Sequence, residues 1–104
     1  MHSRIKFTPA ASAQFDALDT AASAAVFEQV RKAIGYLEID PHHPGLRTHE
    51  FTSLSGANGG KIFEAYAQNN TPGAYRIFWH YGPDETKGKK RIPVIMIVAI
   101  TRHP

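Results

Sequence analysis

Arg76 stands in the run Ala74-Tyr75-Arg76-Ile77-Phe78-Trp79-His80-Tyr81, the one arginine in an aromatic and β-branched stretch closed by Pro72-Gly73 before it and Gly82-Pro83 after it. Such a composition favours a strand, and strand side chains alternate between the two faces of a sheet. Tyr75, Ile77, Trp79 and Tyr81 then share the face that makes the core, while Arg76, Phe78 and His80 share the open one. A guanidinium in the middle of a sheet is a rigid fork of donors suited to holding an anion. Glu64, in the run Lys61 to Gln68, falls on the same open face of a neighbouring strand. The two make either a base beside its cation or a cross-strand ion pair. His103 is the natural acid or base, because histidine alone titrates near neutral pH without a large perturbation.

The elements that must position these residues follow from the pattern along the chain. Arg4-Ile5-Lys6-Phe7 alternates polar and apolar and predicts a short strand. Thr8-Pro9 starts a helix, with threonine as cap and proline at the first helical position, running to about Leu18 with Ala11, Phe15 and Leu18 on one stripe. Asp19 or Thr20 caps a second helix to about Ile39, whose Val26, Phe27, Val30, Ile34 and Leu37 recur at helical spacing, with Glu28 and Lys32 paired on the other face. Asp40-Pro41-His42-His43-Pro44-Gly45 breaks that helix. A strand from Leu46 to Phe51, a polar glycine-rich loop from Ser53 to Gly60, and a strand from Lys61 to Gln68 come next. The turn from Asn69 to Gly73 joins the last of these to the Arg76 strand as an antiparallel hairpin. A loop from Pro83 to Lys90 leads to a final strand, Arg91 to about Thr101, which is apolar on both sides and therefore internal. The fold class is α+β, in the order β-α-α-β-β-β-β: two N-terminal helices packed on one face of a mostly antiparallel sheet of four to five strands.

With 104 residues the chain reads as a single domain over 1–104. It has no cysteine, which excludes disulfides and thiolate metal sites. The longest apolar run, Pro93 to Ile100, is too short to span a bilayer, and no apolar segment follows Arg4 and Lys6 as a signal peptide requires, so a cytoplasmic protein is expected. A formal charge of +3 and a pI near 9.4 suit a polyanionic partner.

This plan, with Asp40-Pro-His-His-Pro-Gly-Leu46 after the long helix, Ile62-Phe-Glu-Ala-Tyr66, Ala74-Tyr-Arg-Ile77 and Ile100-Thr-Arg-His103, resembles the RelE/ParE superfamily of toxins from bacterial toxin–antitoxin systems over nearly its whole length. The resemblance implies a cognate antitoxin that assembles with the toxin and covers the open face. For members like RelE it implies a ribosome-dependent mRNA endonuclease without cofactors, its partners the ribosome and mRNA. For members like ParE it implies a gyrase inhibitor that shares the fold without the nuclease site.

Metal-free RNA cleavage needs a base for the 2′-hydroxyl proton, cations for the phosphorane, and an acid for the departing 5′-oxygen. Arg76 matches the family arginine that binds phosphate, and Glu64 and His103 complete the catalytic set. Lys61 and Arg47 are candidates for flanking phosphates, and Tyr66, Phe78 and His80 for stacking an unpaired base. Lys87, Lys89, Lys90 and Arg91 hold a third of all Lys and Arg and are candidates for ribosomal RNA. The chain departs from the most basic relatives, which put two lysines where Ile62, Phe63 and Glu64 stand and place a tyrosine after the late histidine. A metal reading of His42, His43 and His49 with Asp40 and Glu50 matches no usual ligand spacing, so no metal is expected.

Overall fold

The computed structural model describes residues 2–21, 24–55, 60–68 and 73–102. Strand β1 (Arg4–Phe7) leads into helix α1 (Pro9–Ala21), which begins as its sequence dictates. Thr8 Oγ1 accepts the Ala11 N–H at 3.2 Å, satisfying one of the free donors of the first turn. Asp19 and Thr20 lie in the last turn of α1 rather than capping helix α2 (Ala24–Ile39), because the alanine-rich segment carries the first helix one turn further than its apolar stripe requires. On α2, Glu28 pairs with Arg31 at 3.3 Å instead of with Lys32, whose ammonium lies 5.6 Å from the Tyr36 ring centre.

A single turn of 3₁₀ helix, Pro44–Leu46, precedes strand β2 (His49–Ser55), so Leu46 belongs to the turn and plugs the core rather than opening the strand. Strands β3 (Lys61–Tyr66), β4 (Tyr75–Lys87) and β5 (Lys90–Arg102) complete a five-stranded sheet in the order β1-β5-β4-β3-β2. β1 runs parallel to β5 and the other pairings are antiparallel. The sheet is internal at β5, as its two apolar faces require.

The expected loop from Pro83 to Lys90 is strand almost throughout: β4 continues to Lys87 and turns through Gly88-Lys89 into β5. β3 pairs with β4 over Arg76–Trp79 and β1 pairs with β5 over Val94–Ile97, so the distal part of the hairpin projects past both neighbours as a two-stranded arm. The prolines fit because Pro83 falls at a register shift and the arm's outer edges need no amide donors.

The core lies between the helices and one sheet face, with Val30, Leu37, Leu46, Ile77, Trp79, Ile95 and Ile97 fully buried. Trp79 stacks on Phe63 at 4.8 Å. Tyr81, expected beneath the helices, is 49% exposed, because it sits where the arm leaves their cover. Its hydroxyl pKa is raised by partial burial first and by the Asp40 charge second. No helix among the described residues is long and apolar enough to cross a membrane.

Candidate functional site

Glu64 and Arg76 meet on the helix-free face because of sheet register. Glu64 stands opposite Phe78, and Arg76 opposite Tyr66, so Glu64 and Arg76 are diagonal neighbours across β3 and β4. On the other side His49 of β2 stands directly opposite Glu64. The expected open position of Arg76 is corrected here: Arg76 is only 6% exposed and Glu64 only 3%. Period-two alternation assigned the face correctly, but the side chains on that face cover one another.

Each charged group is held from its own side. Arg76 donates from Nη1 to the Gln68 carbonyl at 2.9 Å and to its neighbour Tyr75 at 3.3 Å, and its guanidinium lies 3.7 Å from the centre of the Tyr66 ring. Stacking on an aromatic face and bonding to carbonyls are both things a planar guanidinium does well. Glu64 Oε1 lies 2.8 Å from His49 Nε2, and His49 Nδ1 lies 3.0 Å from the Arg47 carbonyl oxygen. The His49 ring also meets Tyr66 edge-on at 5.8 Å. Between the two anchored groups, Arg76 Nε and Glu64 Oε2 stand 3.7 Å apart, and neither has a hydrogen-bond partner. An unpaired donor and an unpaired acceptor, both buried, thus face one gap, and buried polar atoms are rarely left so. Both atoms are closed off from solvent and stand as an ion pair without a hydrogen bond between them.

Two solved structures share this architecture. A YoeB/ParE toxin from Agrobacterium tumefaciens is similar with a TM-score of 0.66 over 97% of this chain and 99% of that one, at 10% identity. The YoeB dimer from Staphylococcus aureus gives a TM-score of 0.64 over 100% of both chains, again at 10% identity. The fold is that of the YoeB/ParE toxins. No family model matches the sequence, and no curated protein matches it.

On this YoeB/ParE fold the remaining candidate residues fall in three places. His103 lies outside the described residues. Close to the pair, Tyr66 is half-buried beneath the guanidinium, and Phe78 is buried edge-to-face with Phe51 at 5.0 Å, so Phe78 offers no free ring for a base. His80 is half-buried with Nδ1 2.9 Å from the Tyr81 carbonyl oxygen. Arg47 is exposed in the left-handed region at φ 49°, and Lys61 is exposed and 3.7 Å from Glu50. Lys87, Lys89, Lys90 and Arg91 crowd the tip of the arm, fully separate from the pair.

The residue the sequence reading undervalued is His49, which it weighed only as a metal ligand. His43, weighed with it, stacks on Tyr36 at 4.1 Å and accepts the Gly45 N–H at 3.0 Å. Asp40 accepts the His42 N–H at 2.9 Å. These residues build the turn that delivers the chain to Arg47 and His49.

Proposed function

We propose that the chain is the toxin of a toxin–antitoxin system and acts as an endoribonuclease on ribosome-bound mRNA in the cytoplasm. The observation that carries the reading is the buried Arg76–Glu64 pair with one donor and one acceptor left unpaired toward each other. In this reading Glu64 takes the proton of the 2′-hydroxyl, whose oxygen attacks the adjacent phosphorus. Arg76 holds the phosphate oxygens and stabilises the charge that builds on them. His103 returns a proton to the 5′-oxygen as its bond to phosphorus breaks. Cleavage then leaves a 2′,3′-cyclic phosphate and a free 5′-hydroxyl. Likeness of fold to a YoeB/ParE toxin and to the YoeB dimer supports the toxin assignment, with a cognate antitoxin as partner.

The test is purified protein added to translating ribosomes, with mRNA ends mapped. Wild type is expected to cut at codon-positioned sites. Arg76→Lys, which keeps the charge but loses the fork, is expected to lower cleavage by at least ~100-fold, the scale on which a transition-state donor acts. Far-UV circular dichroism checks that the variant is folded. Uncut mRNA at toxin concentrations that arrest growth would sink the proposal.

One observation favours a second reading, a non-nuclease module such as a gyrase inhibitor of the ParE kind or a degenerate toxin that retains antitoxin binding. Glu64 and Arg76 are as buried as a structural ion pair, which needs no substrate. Inhibition of gyrase supercoiling with mRNA left intact selects that reading.

A further inference from the structure

A cleft of about 310 Å³ opens between helix α2, the 3₁₀ turn and the end of β3, lined by the rings of Tyr36, His43 and Tyr66 and by the side chains of Gln29 and Lys32. That size lies at the low end for small-molecule sites and suits one ligand unit. Tyr66 belongs to two places at once. It lines this cleft, and the Arg76 guanidinium lies 3.7 Å from its ring centre.

The hydrogen bonds around the cleft decide which polar atoms are left for a ligand. Gln68 Oε1 accepts the Tyr75 N–H at 3.1 Å, so the amide nitrogen of Gln68 is the end that donates to Gln29 Oε1 at 2.8 Å. Gln29 therefore keeps its own amide nitrogen as a donor without a partner among the described residues. His43 is fixed in the same way, since its Nδ1 accepts the Gly45 N–H at 3.0 Å and its ring hydrogen must then be on Nε2. Lys32 has no carboxylate partner among the described residues, because Glu28 is taken by Arg31, and its ammonium stands 5.6 Å from the Tyr36 ring centre. No Asp or Glu among the described residues lines the cleft.

One cation, two neutral donors, three aromatic rings and no carboxylate suit a ligand that is flat, anionic and rich in acceptors. An unpaired nucleotide has all three properties. Resting on the reading of RNA as the substrate, we propose that the cleft is a subsite for one nucleotide of the same strand, beside the one held at Arg76. Lys32 binds its phosphate, the rings of Tyr36 and Tyr66 meet its base, and Gln29 and His43 donate to acceptors on the base edge. Gln68 ties the two places together: its carbonyl accepts from Arg76 Nη1 at 2.9 Å while its side chain orients Gln29.

The test titrates a trinucleotide RNA, made uncleavable by 2′-O-methyl groups, into the isotope-labelled full chain, so that binding is read apart from cleavage. The Gln29 side-chain amide and the ring signals of Tyr36, His43 and Tyr66 are expected to shift. Lys32→Met removes the charge and keeps the stem. Gln29→Glu keeps the acceptor for Gln68 and replaces the free donor with a charge that repels phosphate. Both positions are exposed, so both variants are expected to fold with the Tm of the wild type. Each should bind the trinucleotide ~10-fold more weakly, the scale of a hydrogen bond to a charged group. Lys32→Met should also make the slope of log K against log salt less steep by about 0.7, the value for one phosphate on a single strand. Absence of binding, shifts confined to residues outside the cleft, or wild-type affinity in both variants overturns the proposal. RNA that binds with these effects but is never cut in its unmodified form supports the cleft and removes the nuclease reading. Cutting by both variants with the KM of the wild type removes the cleft and leaves the nuclease.

Discussion

At the scale of single residues, two ion clusters in this chain obey different physics. Removing one partner of the buried Glu64–Arg76 pair leaves an uncompensated buried charge, at a cost of about 3–5 kcal/mol. The exposed cluster of Glu85 with Arg4 and Lys6 is screened by water and acts mainly through pH. The Glu85 carboxyl is held below its ordinary value of 4.5 chiefly by the hydrogen bond from Lys6; desolvation opposes this next, and the charges of Lys6 and then Arg4 add to the lowering. A lowered pKa means that the folded chain binds this proton less readily than the unfolded one, so the stabilisation is present above the unfolded value and lost as pH falls through the folded one. Glu85→Gln should therefore lower Tm at pH 7, with the two melting curves converging in acid below the ordinary carboxylate range. A Tm difference that stays constant from pH 7 to strong acid would contradict this account.

At the scale of elements, the β4–β5 hairpin decides the shape of the molecule. A 13-residue strand spans roughly 44 Å, close to the 43 Å length of a chain only 28 and 27 Å across. Its turn depends on Gly88, whose φ of +64° is followed by a residue of ordinary φ, the arrangement of a type II′ turn. A Cβ at Gly88 would meet nothing within 4 Å, so the cost of Gly88→Ala is purely that of backbone conformation. That cost is about 1–2 kcal/mol, and thermal unfolding of the variant should show it. An unchanged Tm would mean that the tip is not folded as described. Much of the fold was legible because alternation around Ile77 and Trp79, the helical stripe of α2 and the Thr8-Pro9 start each obey one local rule. The arm was misread as a loop from Pro83 to Lys90 because Pro83 and Gly88 are local breakers, and the register shift between Gly82 and Glu85 that makes Pro83 harmless is set by pairing and not by local sequence. That Glu64 and Arg76 share a face was legible from alternation, but their diagonal register and their burial were not, since alternation names a face and not what lies opposite or what covers it. His49 was missed because β2 and β3 shift register between Glu50 and Ser55, so no count from the hairpin could align it with Glu64.

At the scale of the whole molecule, the cations at the tip of the arm and the paired site are far apart. Lys87 is eleven residues along β4 from Arg76, roughly 37 Å at strand rise. The tip therefore cannot touch the phosphate that Arg76 would hold, and its contribution must be to docking. Replacing Lys87, Lys89, Lys90 and Arg91 with alanine removes four cations and takes the formal charge from +3 to −1. If each neutralises one RNA phosphate, the slope of log K against log salt for ribosome binding should become less steep by roughly 3–4. Exposed substitutions of this kind should leave stability within about 0.5 kcal/mol. The kinetic signature should separate the two surfaces, with the tip variant raising KM for ribosomes and sparing kcat, and Arg76→Lys lowering kcat while sparing the salt slope. Should the quadruple variant bind with an unchanged slope, the arm has no role in holding RNA. The basic charge of the chain would then act only through its net field, which steers encounter without marking a contact surface.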